Sequence, residues 1–258
     1  MTDGFYNEAM ARQQEKVAMT GDMRAQRQVI LDLLNLQAGQ HVLDVGAGNG
    51  IAAREFEEIV GSAGRVCGID SAEAMVAMAR AFCPGGDFRL GDATSLPFAD
   101  ASFDALTTSQ LLCFVPDRAA ALAEMFRVLR PGGRLVVLDT DWASLVYATR
   151  RPDLLERVVA MLTEVYASAH VPRLLTAELL AAGFEVVARR AHPVVSWDAA
   201  EDSYAGQLVR LGATMMASDA RFTPEDRAAW TADHAALVAE GRFLFALTRF
   251  LFSARRPV

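Results

Sequence analysis

The sequence has little that would tie it to a metal, a disulfide framework or a membrane. Its three cysteines, Cys67, Cys83 and Cys113, fall in or beside apolar segments and lack CxxC spacing. Neither a zinc site nor a disulfide scaffold is suggested, and buried, reduced thiols are expected. No stretch approaches the ~18 apolar residues of a membrane span. The start, MTDGFYNEAMARQQEK, has neither the basic beginning nor the apolar run of a signal peptide, which points to a cytoplasmic protein. Basic residues are not in excess either: the formal charge of −7 gives no broad attraction for nucleic acid or anionic lipid. A small-molecule partner is favoured.

What the chain does have is apolar content and alternation. With 258 residues, 52% of them hydrophobic, it can bury a substantial core, and disorder as the main state is excluded. Residues from about 5 to 36 are helix-like and end at Ala38-Gly39. Strand and helix patterns then alternate: strand His41–Val45, helix from about Ile51 to Ile59, strand Arg65–Ile69, and a helix from Ser71 with Ser71 as its N-cap. A short strand at Phe88–Leu90, a strand at Phe103–Ser109, a helix from Asp117 to Leu129 stopped by Pro131-Gly132-Gly133, and a strand Arg134–Asp139 follow. Strands separated by helices imply a parallel sheet covered on both faces, with ligands at the carboxyl ends of its strands.

After Trp142 the rhythm breaks. Residues 151–168, 175–182, 200–218 and 224–240 have helical patterns, 184–191 reads as a strand, and Arg242–Phe252 is an aromatic-rich last strand returning to the sheet. No repeat or low-complexity linker separates these helices from the rest, so they are expected to cap the sheet.

The segment Val42-Leu43-Asp44-Val45-Gly46-Ala47-Gly48-Asn49-Gly50 is an apolar strand entering a glycine-rich turn. Glycines there let a backbone pass close beneath a ligand. The dinucleotide fingerprint GxGxxG would need glycine at position 51, where the chain has Ile51. Asp44 in the strand end would repel a pyrophosphate but could meet an ammonium. Twenty residues after Gly50, Asp70 ends the second strand, where a carboxylate can accept both hydroxyls of a ribose.

With these pieces the chain resembles the class I S-adenosylmethionine (SAM)-dependent methyltransferases, over residues of about 25–140. Gly91-Asp92-Ala93, Leu96-Pro97-Phe98, Ser109-Gln110-Leu111 and EMFRVLRPGGRL from Glu124 to Leu135 are similar to the branch that includes ubiquinone- and menaquinone-biosynthesis enzymes. The resemblance implies an α/β, Rossmann-like, mostly parallel sheet with an antiparallel last strand, helices on both faces and a helical cap. It implies one SAM-binding domain: an N-terminal flap over 1–36, a core over 37–140, cap helices with one strand over 141–241, and the last strand over 242–258. Asp44, Gly46, Gly48, Gly50, Asp70, Ser71, Asp92, Ala93, Ser109 and Gln110 would then bind SAM, with Asp92 accepting from the adenine amino group.

SAM carries an activated methyl, so the protein need only hold a nucleophile in line behind it and exclude water. If the acceptor needs a base, Asp141, His170 and His192 are the candidates. Asp141 could equally cap a helix. Tyr6, Phe114, Trp142, Arg173 and Met215 are candidate substrate contacts, Arg173 as a clamp for an anion. No metal is expected: Asp139-x-Asp141 lacks a third ligand, and the catechol-type aspartate is replaced by Ser109 and Gln110. The Asn/Asp-Pro-Pro-Tyr signature of adenine and amide methylation is also absent. The expected activity is methyl transfer to an O, N or C atom of a small, partly apolar metabolite. Three other readings stay open: a SAM enzyme of intramolecular displacement or elimination, a SAM-sensing scaffold, and a nicotinamide oxidoreductase, which Asp44 and Ile51 disfavour. The cap helices could also pair two copies of the chain.

Overall fold

The computed structural model describes residues 15–258. The chain enters through helix α1 (Gly21–Leu34), started by Thr20, whose side chain accepts from the Met23 N–H, and ended by Asn35 in the left-handed region. Then come β1 (His41–Val45), α2 (Ile51–Val60), β2 (Arg65–Asp70), α3 (Glu73–Phe82), β3 (Asp87–Leu90), β4 (Phe103–Ser109), α4 (Arg118–Val128) and β5 (Leu129–Thr140). Strands β3, β2, β1, β4 and β5 lie side by side in that order and run parallel. The chain winds outward from β1 in both directions, so a crevice opens between β1 and β4 at their carboxyl ends.

Period-two burial sorts the strand side chains onto two faces. Leu43, Val45, Leu106 and Val137 pack with Leu122 and Met125 of α4. Val42, Ala105 and Val136 pack with Ile30 and Leu34 of α1, Phe56 of α2 and Val76 of α3. Each of these leucines, removed entirely from water, contributes about 1.5–3 kcal/mol.

Beyond β5 a 3₁₀ turn (Trp142–Ser144) and β6 (Val146–Tyr147) lead into α5 (Pro152–Thr163), α6 (Pro172–Ala181), β7 (Glu185–Ser196), α7 (Tyr204–Ala217), α8 (Pro224–Ala239) and β8 (Phe245–Arg255). Strand β8 runs antiparallel between β5 and β7, and β6 pairs with its first two residues. α6 packs beside α4 through Leu175 and Leu179. Leu154, Val158, Met161 and Leu162 of α5 meet Met216 of α7 and Trp230 of α8. Tyr204 and Leu208 of α7 join Met23 of α1 and Phe245 of β8 in a further cluster, which brings α7 across the strand ends.

The mixed α/β sheet with an antiparallel last strand agrees with expectation. Helix α3 differs at its start. It begins at Glu73 with Ala72 as N-cap and no side-chain cap, and the Ala72 N–H is instead taken by the Asp70 carboxylate. Ser71 is therefore a linker residue, not a cap. Among the described residues no helix is long and apolar enough to cross a membrane.

Candidate ligand-binding site

The turn after β1 is shaped by its glycines. Gly46, Gly48 and Gly50 all have positive φ (78°, 53° and 79°), a region that costs other L-residues about 1–2 kcal/mol. Two of them serve different ends. A Cβ on Gly48 would meet nothing within 4 Å, so its backbone borders open space. A Cβ on Gly50 would lie 2.8 Å from the Ala79 Cα, so Gly50 lets the start of α2 press against α3.

That open space is a cavity of about 370 Å³ at the carboxyl ends of β1, β2 and β4, within the range of small-molecule sites. Two carboxylates stand at one end. Asp44 is only 4% exposed, lines the cavity, and burial together with the neighbouring charge of Asp70 pushes it from 3.8 up to about 7. No hydrogen bond reaches its carboxylate from the described residues. Asp70 accepts from the Gly48 N–H at 2.9 Å and the Ala72 N–H at 3.0 Å. Burial raises its pKa, and these amides pull it back in part. Each carboxyl oxygen keeps a lone pair for a ligand hydroxyl.

Ser109 and Gln110 continue the wall from β4. Gln110 has φ 55°, strained for a residue with a side chain. Its N–H bonds the Leu138 carbonyl at 2.9 Å and its Oε1 accepts from Thr140 Oγ1 at 2.9 Å. Ser71 also faces the cavity. The far end is apolar and aromatic: Phe114, Trp142 and Tyr166, with Leu208, Leu211 and Met215 from α7. Trp142 stacks on Tyr166 with centroids 5.3 Å apart and planes 24° from parallel.

Seven of the ten candidate SAM contacts thus line one cavity: Asp44, Gly46, Gly48, Asp70, Ser71, Ser109 and Gln110. Gly50, Asp92 and Ala93 lie outside its lining. Asp92 is exposed, and its Oδ1 accepts from the Thr94 N–H at 2.8 Å and Thr94 Oγ1 at 2.7 Å. Of the candidate substrate contacts, Phe114, Trp142 and Met215 line the cavity, and Tyr6 lies outside the described residues.

Asp141, His170 and Arg173 come together, but beside the cavity and not in its lining. Asp141 accepts from Arg173 Nε at 2.6 Å and lies 3.0 Å from His170 Nδ1. Burial raises its carboxyl, but the hydrogen bonds from Arg173, His170 and the Ala143 N–H outweigh that and leave it below the usual carboxylate range. The Arg173 side chain, 55% exposed, is already paired, which argues against a clamp on a bound anion. Asp141 also caps the 3₁₀ turn through Ala143 N–H, the alternative role left open above. Among the described residues no three His, Cys, Asp or Glu side chains gather as a metal site.

Several cavity residues carry no motif: Met23, Gln26 and Arg27 of α1, Thr107 of β4, Tyr204 of α7 and Arg249 of β8. Arg249 had one signal. It occupies the buried phase of the alternation Phe245, Leu247, Arg249, Leu251, where a charge is out of place.

Residues 43–137 match the family model described as a methyltransferase domain. A demethylmenaquinone methyltransferase of Renibacterium salmoninarum is 42% identical over 124 residues, 48% of this chain and 51% of that protein. A ubiquinone/menaquinone biosynthesis C-methyltransferase of Klebsiella pneumoniae is 37% identical over 125 residues, 46% and 50% of the two chains. The chain therefore spans about half the length of the curated relatives it matches. Among solved structures, a provisionally assigned methyltransferase of Bacillus halodurans C-125 superposes with TM-score 0.63 at 22% identity, covering 91% of this chain and 100% of that one. The latter likeness concerns the fold. Over residues 43–137 the chain is thus similar to a methyltransferase domain and, within it, to enzymes of ubiquinone and menaquinone biosynthesis.

Proposed function

We propose that the chain is a SAM-dependent methyltransferase acting on a small, partly apolar metabolite. Residues 37–140 hold the cofactor, and the helices after 141 cover the acceptor. The observation that carries this reading is Asp44, a buried carboxylate that lines the cavity, is raised to about 7 and has no hydrogen-bond partner among the described residues. A cationic ligand restores its charge, whereas a pyrophosphate would add to the repulsion. SAM has such a cation in its ammonium group, and the matched family supplies the same expectation.

The residues fit the rest of that molecule. The lone pairs that Asp70 keeps suit two ribose hydroxyls, and Gly48 leaves room for a ligand against the backbone. The bent backbone at Ser109 and Gln110 can follow an amino-acid moiety along the β4 end. When bound, SAM supplies a methyl already activated by its sulfonium. The chain's own task is to orient and dry the reacting pair. Phe114, Trp142 and Tyr166 give the acceptor flat apolar faces and keep water out. Asp141, held below its usual range, is a weak base and positions Arg173 and the turn after β5.

The test is product analysis. Protein is incubated with SAM bearing a labelled methyl and a size-filtered small-molecule extract. The reading expects S-adenosylhomocysteine together with label in a small molecule. Methylthioadenosine as the only product above a protein-free control would overturn methyl transfer in favour of intramolecular SAM chemistry.

A further inference from the structure

Arg249 is 3% exposed on a strand position flanked by the fully buried Leu247 and Leu251. A guanidinium there needs compensation. What it has is incomplete. Nη1 donates to Gln26 Oε1 and approaches Met23 Sδ at 2.8 Å. The cation also sits over the Tyr204 ring, 4.5 Å from its centroid. Among the described residues no carboxylate forms an ion pair with it. Its buried Nε–H has no acceptor among the described residues.

The neighbouring acid does not fill this gap. Asp139, whose strand neighbour Thr140 pairs with Arg249, accepts instead from the Thr140 N–H at 2.9 Å and the Cys113 N–H at 3.1 Å. A second donor lining the same cavity is also unmet: the buried Trp142 Nε1–H has no partner among the described residues. Two donor-only groups without acceptors call for a ligand that brings oxygen lone pairs and negative charge.

We propose that Arg249, steered by Gln26 and Tyr204, binds a carboxylate on the methyl acceptor, with Trp142 as an auxiliary donor. The proposal rests on the methyltransferase reading and specifies its substrate class: an apolar or aromatic acid. With Nη1 engaged, the edge left to the ligand is Nε and Nη2, a two-donor fork that matches a carboxylate. A doubly charged phosphate fits less well. The other cavity cation, Arg27, is already paired to Glu55 at 2.8 Å, and Asp44 and Asp70 oppose further negative charge. Arg249 lies on β8, separated from Asp44 on β1 by β4 and β5, so cofactor and acceptor charges are met at different ends of the cavity.

The experiment is calorimetry on the full chain saturated with S-adenosylhomocysteine, titrated with benzoate and hexanoate and with their neutral amides. The acids are expected to bind about tenfold or more tighter than the amides, the value of hydrogen bonds to a charged partner. Arg249→Met is expected to bring acid and amide within about twofold of each other while leaving S-adenosylhomocysteine affinity unchanged. Equal affinity for acid and amide in the unaltered protein would overturn the proposal, and that comparison stands even if the variant does not fold. A variant that instead loses S-adenosylhomocysteine affinity would reassign the guanidinium to the cofactor's own carboxylate and likewise overturn it. Absence of S-adenosylhomocysteine binding to the unaltered protein would be a failure of the methyltransferase reading itself.

Discussion

Replacing Asp44 with asparagine should make the protein more stable and worse at binding SAM. The Asp44 carboxyl is raised from 3.8 in the unfolded chain to about 7 in the folded one, first by burial and then by Asp70. Between those values the folded state holds a proton that the unfolded state has released, so stability falls as pH rises through this window and levels off above about pH 7. At about 1.4 kcal/mol per pKa unit the full cost near pH 8 is about 4 kcal/mol. Asparagine removes the charge but leaves a buried amide without partners, which costs about 2 kcal/mol. The net gain at pH 8 is then about 2 kcal/mol, or about 4–8 °C in Tm for a chain of this size. By the same arithmetic the gain vanishes at about pH 5 and becomes a loss of about 2 kcal/mol below about pH 4. Loss of the ammonium contact should weaken SAM about 10- to 100-fold. Thermal melts at pH 8 and pH 5, with calorimetric titration of SAM, check both effects. A variant no more stable at pH 8 that binds SAM like the parent would refute the view of Asp44 as a buried anion held for a cation.

Two further outcomes follow from the site geometry. Gly50→Ala pushes a methyl to 2.8 Å from the Ala79 backbone at φ 79° and should cost about 2–4 kcal/mol in urea denaturation. Gly48→Ala meets no neighbour within 4 Å and should cost only about 1–2 kcal/mol yet weaken SAM, because its methyl enters the cavity; the two variants thus separate packing from binding. Asp141→Asn should lower stability by about 1 kcal/mol through the lost Arg173 and His170 contacts, while methyl transfer falls less than about tenfold. A bell-shaped pH–rate profile losing its acid limb in this variant would contradict the positioning role.

The core of the fold and one end of the site were legible because local chemistry determines them. The strand entering Gly46-Ala47-Gly48 admits few conformations, and β1 and β4 begin and end where alternation and turn residues put them. Ends without such punctuation drifted. The last strand runs from Phe245 to Arg255 and not from Arg242 to Phe252, since only pairing with β5 and β7 fixes its limits. β5 begins at Leu129, ahead of the Pro131-Gly132-Gly133 segment, because Leu129 pairs with Phe103 across a register shift. The acceptor end was harder to see. Asp141, His170 and Arg173 were separate candidates in the sequence, and the chain's return through α6 joins them as one ion cluster. Arg249 meets Gln26 across a sequence separation of 223 residues, a contact no local pattern encodes, although its place in the buried phase of β8 marked it as unusual.

The most direct test of the cofactor assignment is calorimetric titration of the purified protein with SAM, S-adenosylhomocysteine and NAD at pH 7, in two buffers of different ionisation enthalpy. The account predicts binding of both sulfur nucleotides, no binding of NAD, and release of about half a proton per SAM as Asp44 becomes fully ionised. Binding of NAD without SAM, or SAM binding with proton uptake, would contradict it.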